Sequence, residues 1–245
     1  MYGQFVREMP DDIDKELSWK WVVQSDLKVQ TEATLFAAQE QALTTNYVKH
    51  KSESSLCRLC NEKCETVQHL ICECKKLAQR DYKRRHDNIA KLVHWKLCEK
   101  YSLKKEEKWY EHVPEGSEEN EKVKLIWDMN IQCDNVIEAR RPDLIIVDKI
   151  MKACIIIDVA VPGDSRVHTK ENEKIEKYQE LKRELKRIWS LRKVTVVPVV
   201  VGALGCVSKR FNKWMEILGI EVSVGLMQKS ALLGTARIIR KVMEM

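Results

Sequence analysis

A chain of 245 residues with a formal charge of +6 is long enough for one good core plus a small accessory domain, and its mild basicity permits a polyanion partner without demanding one. No stretch approaches the roughly 18 apolar residues of a membrane span, and Asp11, Asp12 and Asp14 stand where a secretory leader would need an apolar core; a soluble, intracellular chain with no membrane partner is expected. Only 8 Gly and 5 Pro argue for a helix-rich fold, and nine cysteines, five of them between Cys57 and Cys74, point to a metal rather than to disulfides.

Residues 26–51 read as helical, with Leu27, Leu35, Phe36, Ala38, Ala42 and Leu43 at mixed helical spacing. The cysteine cluster follows as Cys57-x2-Cys60-x8-His69-x4-Cys74. Zinc takes four tetrahedral N/S ligands, and a two-residue gap lets one tight turn offer Cys57 and Cys60 to the same ion. His69 and Cys74 would close the site from a following helical turn and hold a small unit together. Cys72 is an alternative to Cys74, and Cys64 is spare; without an ion these are ordinary buried or free thiols. A helix over 76–97 begins with a basic run that includes Lys83, Arg84, Arg85 and His86, either a phosphate-gripping face or a solvated helix surface. The chain then turns polar and charged. The expected division is a helical segment (1–54), a knuckle with its basic helix (55–100), a charged linker (101–123) and a final domain (124–245).

In that final domain the pattern predicts a helix (123–131), a hairpin, a helix (171–189), a strand (194–201) and one or two further helices. The hairpin joins 143–148 to 153–161, both rich in β-branched residues, through the turn Lys149-Ile-Met-Lys152. If Asp148 faces Ala153, counting pairs Asp143 with Asp158, with Cβ atoms roughly 4.5–5.5 Å apart. Two carboxylates that close repel unless a proton or a cation lies between them, and hard oxygen ligands at that spacing suit Mg²⁺ or Mn²⁺. The plainer alternative is a hairpin whose aspartates end at solvent. Segments 155–157 and 194–201 are expected as central strands, with Pro198 making the second edge-like or bulged. Within 171–189, Ile175, Tyr178, Leu181, Leu185 and Ile188 form an apolar stripe. Lys174 falls inside that stripe and Lys177 at its edge, so either can turn toward the carboxylates, Lys174 first; a snorkelling surface side chain is the alternative. Tyr178 reads as core. Arg140 and Arg141, just before the first aspartate, are placed to grip flanking phosphates, and Asp134 or Glu138 to add a ligand.

The order knuckle, Arg84-Arg85-His86, Trp127-Asp128, Arg140-Arg141-Pro142-Asp143, Asp158-Val-Ala-Val-Pro162 and Lys177-Tyr178 resembles the C-terminal region of non-LTR (LINE-like) retrotransposon polyproteins, from about Leu27 onward. That resemblance implies an α/β (α+β mixed) fold: a PD-(D/E)XK restriction-endonuclease-like core, a mixed sheet flanked by helices, preceded by a small helical zinc-knuckle region. It implies a nuclease that nicks chromosomal DNA in the nucleus to free a 3′ hydroxyl for reverse transcription, with DNA, element RNA and a separate reverse transcriptase as partners. Structural zinc and catalytic Mg²⁺ or Mn²⁺ would be its metals. No polymerase core is present, so the chain reads as a fragment or decayed copy. The lysine of the Asp-x-Lys pattern is replaced by Ala160, and in the elements it resembles that lysine comes from the following helix. An inactive nucleic-acid-binding remnant, residing in nucleus or cytoplasm, is the alternative; a zinc-stabilised scaffold for another protein is a third.

Overall fold

The computed structural model describes residues 3–49 and 55–244. Short helices α1 (Gln4–Arg7), α2 (Lys15–Ser18) and α3 (Lys20–Gln24) precede α4 (Val29–Gln39) and α5 (Asn46–Lys49). The helix expected over 26–51 is therefore divided, with Gln41 at a φ of 55° after α4, and its last two residues lie outside those described. After the knuckle come a π-helical turn (His69–Glu73), α6 (Lys75–Leu77), a second π-helical turn (Ala78–Tyr82) and the long α7 (Lys83–Tyr101). α7 stops where Ser102 turns left-handed (φ 54°).

The remainder is a mixed five-stranded sheet in the order β1 (Ser117–Glu119), β2 (Val123–Trp127), β3 (Leu144–Asp148), β4 (Ala153–Ala160) and β5 (Lys193–Val200). The first four strands form an antiparallel meander, and β5 runs parallel to β4 after the crossover helices α8 (Val167–Lys177) and α9 (Gln179–Ile188). A parallel return needs such a crossover. Helices α10 (Phe211–Leu218) and α11 (Val224–Met243) end the chain. Among the described residues no helix is long and apolar enough to cross a membrane.

Two expectations about the sheet change. The helix expected over 123–131 is strand β2, because Val123-Lys-Leu-Ile-Trp127 pairs with β3 along its whole length and with β1 over Lys124–Ile126, and tertiary pairing outweighs local pattern. The segment read as linker contains β1, whose Ser-Glu-Glu sequence carries no apolar signal and pairs only with β2. β5 is an edge strand in hydrogen bonding, in keeping with Pro198, and both of its faces are covered as expected. Val194 and Val196 pack with α9 residues Leu181 and Leu185, while Val197 and Val199 pack with Ile89 and Val93 of α7 and Met215 of α10. Pro198, opposite Asp158, is tolerated there because an edge strand has a side with no ladder bonds to lose. Alternation sets the sidedness of the whole sheet. Ile145 and Ile156 face α9, so by the period of two Asp143 and Asp158 face the same crossover helices.

Candidate active site and metal centre

The β3–β4 hairpin pairs Asp148 with Ala153 and Leu144 with Ile157, so its register continued by one residue sets Asp143 opposite Asp158. The turn is built by Asp148, whose Oδ1 accepts the N–H groups of Ile150 and Met151 at 3.0 and 2.7 Å, and by Lys152 in the left-handed region (φ 50°). Asp143 Oδ2 accepts the backbone N–H of Val159 at 2.6 Å and lies 3.1 Å from His86 Nε2 on α7. Both contacts fall on one oxygen.

Asp158 is buried, at 2 % exposure. α8 brings two amines to it: Lys174 Nζ forms an ion pair with Oδ2, and Lys177 Nζ lies 3.4 Å from Oδ1. Helix direction helps here, since both lysines sit in the last turn of α8, where the dipole favours positive charge. The expected single helix over 171–189 breaks at Tyr178 (φ −103°, ψ 13°) into α8 and α9. The break lets the fully buried Tyr178 ring serve as core while its hydroxyl donates to Asp158 Oδ1 and accepts from Lys177 Nζ at 2.8 Å. Burial, and then the Asp158 carboxylate, hold the Tyr178 phenol well above its ordinary value, which fixes it as a donor. A carboxylate offers about four lone-pair sites, so Asp158 keeps acceptor capacity even with these partners.

His86, read from sequence only as part of the basic run, meets the first aspartate instead. Burial lowers its basicity, but hydrogen bonds to Asp143 and Asp87 outweigh that and raise it to about 9. Within the basic run only proximity to the aspartates distinguishes it, and proximity is a property of the fold. Among the arginines, Arg140 is exposed, and Arg141 holds both oxygens of Asp128 at 2.8 and 2.9 Å. Arg84 is partly exposed and pairs with Asp81 at 3.2 Å. Arg85 corrects the expected phosphate-gripping face: it is buried, donating to Thr235 Oγ1 and to the Ile71 carbonyl, both at 2.8 Å. Asp134 is also spoken for, bound to Arg187 at 2.7 Å.

The knuckle assembles as its spacing predicts. Ligand atoms of Cys57, Cys60, His69 and Cys74 all lie within 4.8 Å of one another, with Cys57 Sγ to Cys74 Sγ at 3.9 Å and Cys60 Sγ to His69 Nε2 at 3.4 Å. The Cys57-x2-Cys60 turn is closed by Asn61 N–H to Cys57 O at 2.8 Å, and Leu59 N–H points at Cys57 Sγ. His69 opens the π-helical turn and Cys74 follows directly after it; Tyr82 pins both by donating to the Leu70 carbonyl and accepting from Cys74 N–H. Cys64 is exposed and Cys72 lies apart, its thiol pushed up to about 12 by burial. Three thiols and an imidazole converging in this way can hold a metal such as zinc.

No protein-family model matches the chain, and no curated protein matches it.

Proposed function

We propose that this chain is a metal-dependent DNA endonuclease with a PD-(D/E)XK-type core, of the kind carried by non-LTR retrotransposon polyproteins. The observation that carries the reading is the meeting of both α8 lysines with Asp158, itself in register with Asp143. The order of elements supports it: helix α7, four antiparallel strands, crossover helices and a parallel strand. Hard oxygen donors at adjacent ladder positions fit Mg²⁺ or Mn²⁺. Such an ion, held by Asp143 and Asp158, would polarise a phosphate oxygen and lower the pKa of a bound water.

The chain's own groups then divide the work. Lys174, supplied by the helix in place of the strand position filled by Ala160, would meet the negative charge that develops on the phosphate. Tyr178 holds Asp158 in orientation. Arg140 is free to contact a flanking phosphate, and Arg141 would do so by exchanging Asp128 for it. The substrate is duplex DNA, cut to leave a 3′ hydroxyl; element RNA and a separate reverse transcriptase are the corresponding partners, and the nucleus the place of action.

One observation favours a second reading, a binding remnant that grips nucleic acid without cutting it. Both Asp158 oxygens already have partners from the protein, as in a carboxylate retained for structure. A supercoiled-plasmid assay in Mg²⁺ separates the two. The nuclease reading expects nicking by the parent, and a loss on the order of 10²-fold or more in Asp143→Asn and Asp158→Asn. Nicking that survives either substitution rules the site out. A parent that shifts labelled DNA but leaves the plasmid closed is the remnant.

A further inference from the structure

Away from both of these centres, the end of α7 meets the polar segment that follows it in a second convergence of ligand-type side chains. We infer that His94, Cys98, His112 and Glu118 form a second zinc site, one that fastens the 102–116 segment between helix α7 and edge strand β1.

Four observations carry this. The ligand atoms of the four residues all lie within 4.8 Å of one another, and the only other such group among the described residues is the knuckle. His94 Nδ1 lies 2.8 Å from His112 Nε2 and 3.5 Å from Cys98 Sγ; Cys98 Sγ lies 3.9 Å from Glu118 Oε2. His94 and Cys98 are fully buried and His112 nearly so. His94 Nε2 is a buried ring nitrogen with no hydrogen-bond partner, 3.9 Å from Glu118 Oε1.

Each residue reaches the site for a local reason. His94 and Cys98 stand four apart on α7, so they share one face a single turn apart. Glu118, central in β1, points inward while its neighbours Ser117 and Glu119 point out. His112 comes from a stretch of about fifteen residues between α7 and β1 with no regular structure, longer than connections usually run in a compact domain. Beyond Trp109 and Leu103, little of that stretch packs on the core, yet it delivers His112 into the interior.

As a hydrogen-bonded polar cluster the group is poorly satisfied. Two imidazoles, a thiol and a carboxylate share one short hydrogen bond, and one ring nitrogen is stranded. Buried polar groups left so cost stability. A borderline cation resolves this, since zinc accepts imidazole nitrogen, thiolate sulfur and carboxylate oxygen together in a tetrahedron. The thiol gives up its proton to solvent on binding. With four protein ligands the site is closed, hence structural.

The test is metal content of the full chain, dialysed against a weak chelator. Two zinc ions per chain are expected for the parent, one for His112→Gln and one for the knuckle variant Cys57→Ser. His112 lies on a connection rather than in an element, so its exchange for Gln spares the secondary structure. X-ray absorption on the unsubstituted protein gives an independent readout: sharing between a three-sulfur and a one-sulfur site averages about two sulfurs per zinc, against three for the knuckle alone. One zinc per parent chain, two that persist in His112→Gln, or a three-sulfur average would each overturn the assignment.

Discussion

Arg85 shows how far a residue's chemistry depends on which side of a helix it falls. A guanidinium is costly to bury unless its donors are met, and here they are met by Thr235 of α11, by the Ile71 carbonyl of the knuckle's π-helical turn and, at 3.4 Å, by the Val161 carbonyl just past β4. One side chain thus ties three parts of the molecule. Its neighbour Arg84 is partly exposed and pairs with Asp81. Hydrogen bonds to charged groups contribute about 1.5–3 kcal/mol each, so Arg85→Ala is expected to lose about 3 kcal/mol or more of stability, while Arg84→Ala stays within about 1 kcal/mol. Urea unfolding of the two variants checks this. Equal, small losses would return Arg85 to the surface role that the sequence suggested for it.

At the scale of elements, the hairpin was legible because everything that fixes its register is local. Asp148 builds the turn, β-branched runs flank it, and a period of two then carries the count from Asp148 to Asp143 and from Ala153 to Asp158. The knuckle was legible for the same reason: its ligands span few residues. What was hidden depended on distant partners. β2 carries a short apolar run that fits either period, and β1 has no signal of its own. His94 and Cys98 do display helical spacing, but nothing local connects them to His112 or Glu118. Periodicity also ranked the lysines, putting Lys174 inside the α8 stripe and Lys177 at its edge, and their exposures follow that order, 19 % against 43 %. The more enclosed amine is the one that keeps its charge interaction least screened. In single-turnover nicking, Lys174→Met is expected to lose on the order of 10²-fold and Lys177→Met less than about tenfold. The reverse order would make Lys177 the principal cation and Lys174 a partner of Asp158 alone.

Over the whole molecule, α11 is the shared wall. Its Ile238 and Val242 pack on the knuckle's Cys57, Leu70 and Cys74, its Leu232, Ala236 and Ile239 on Trp21 and Leu35, and its Met227 and Ala231 on the sheet's main cluster. Knuckle, N-terminal helices and sheet therefore share one helix. Beside that shared wall, Asp164 joins the segments that follow β4 and β5 by accepting the N–H groups of Leu204 and Cys206, both at 2.9 Å. Burial outweighs those bonds and raises its carboxyl to about 6. In the unfolded chain the same group titrates near its ordinary value, about 3.9. The folded state therefore holds this proton more tightly, and the contribution of Asp164 to stability grows as pH falls through 6 and fades as pH rises above it. Paired carboxylates such as Glu184, lowered to about 2 by Arg187, act in the opposite direction at still lower pH. Comparison with Asp164→Asn separates the two. The variant loses one acceptor at every pH, a constant offset, but has no proton to bind. Between pH 7 and pH 5 the parent should gain about 1 kcal/mol relative to Asp164→Asn in denaturant unfolding. A parallel pH dependence for the two proteins would mean that Asp164 is ionised throughout, with its charge balanced by Arg85 and the loop amides rather than suppressed by burial.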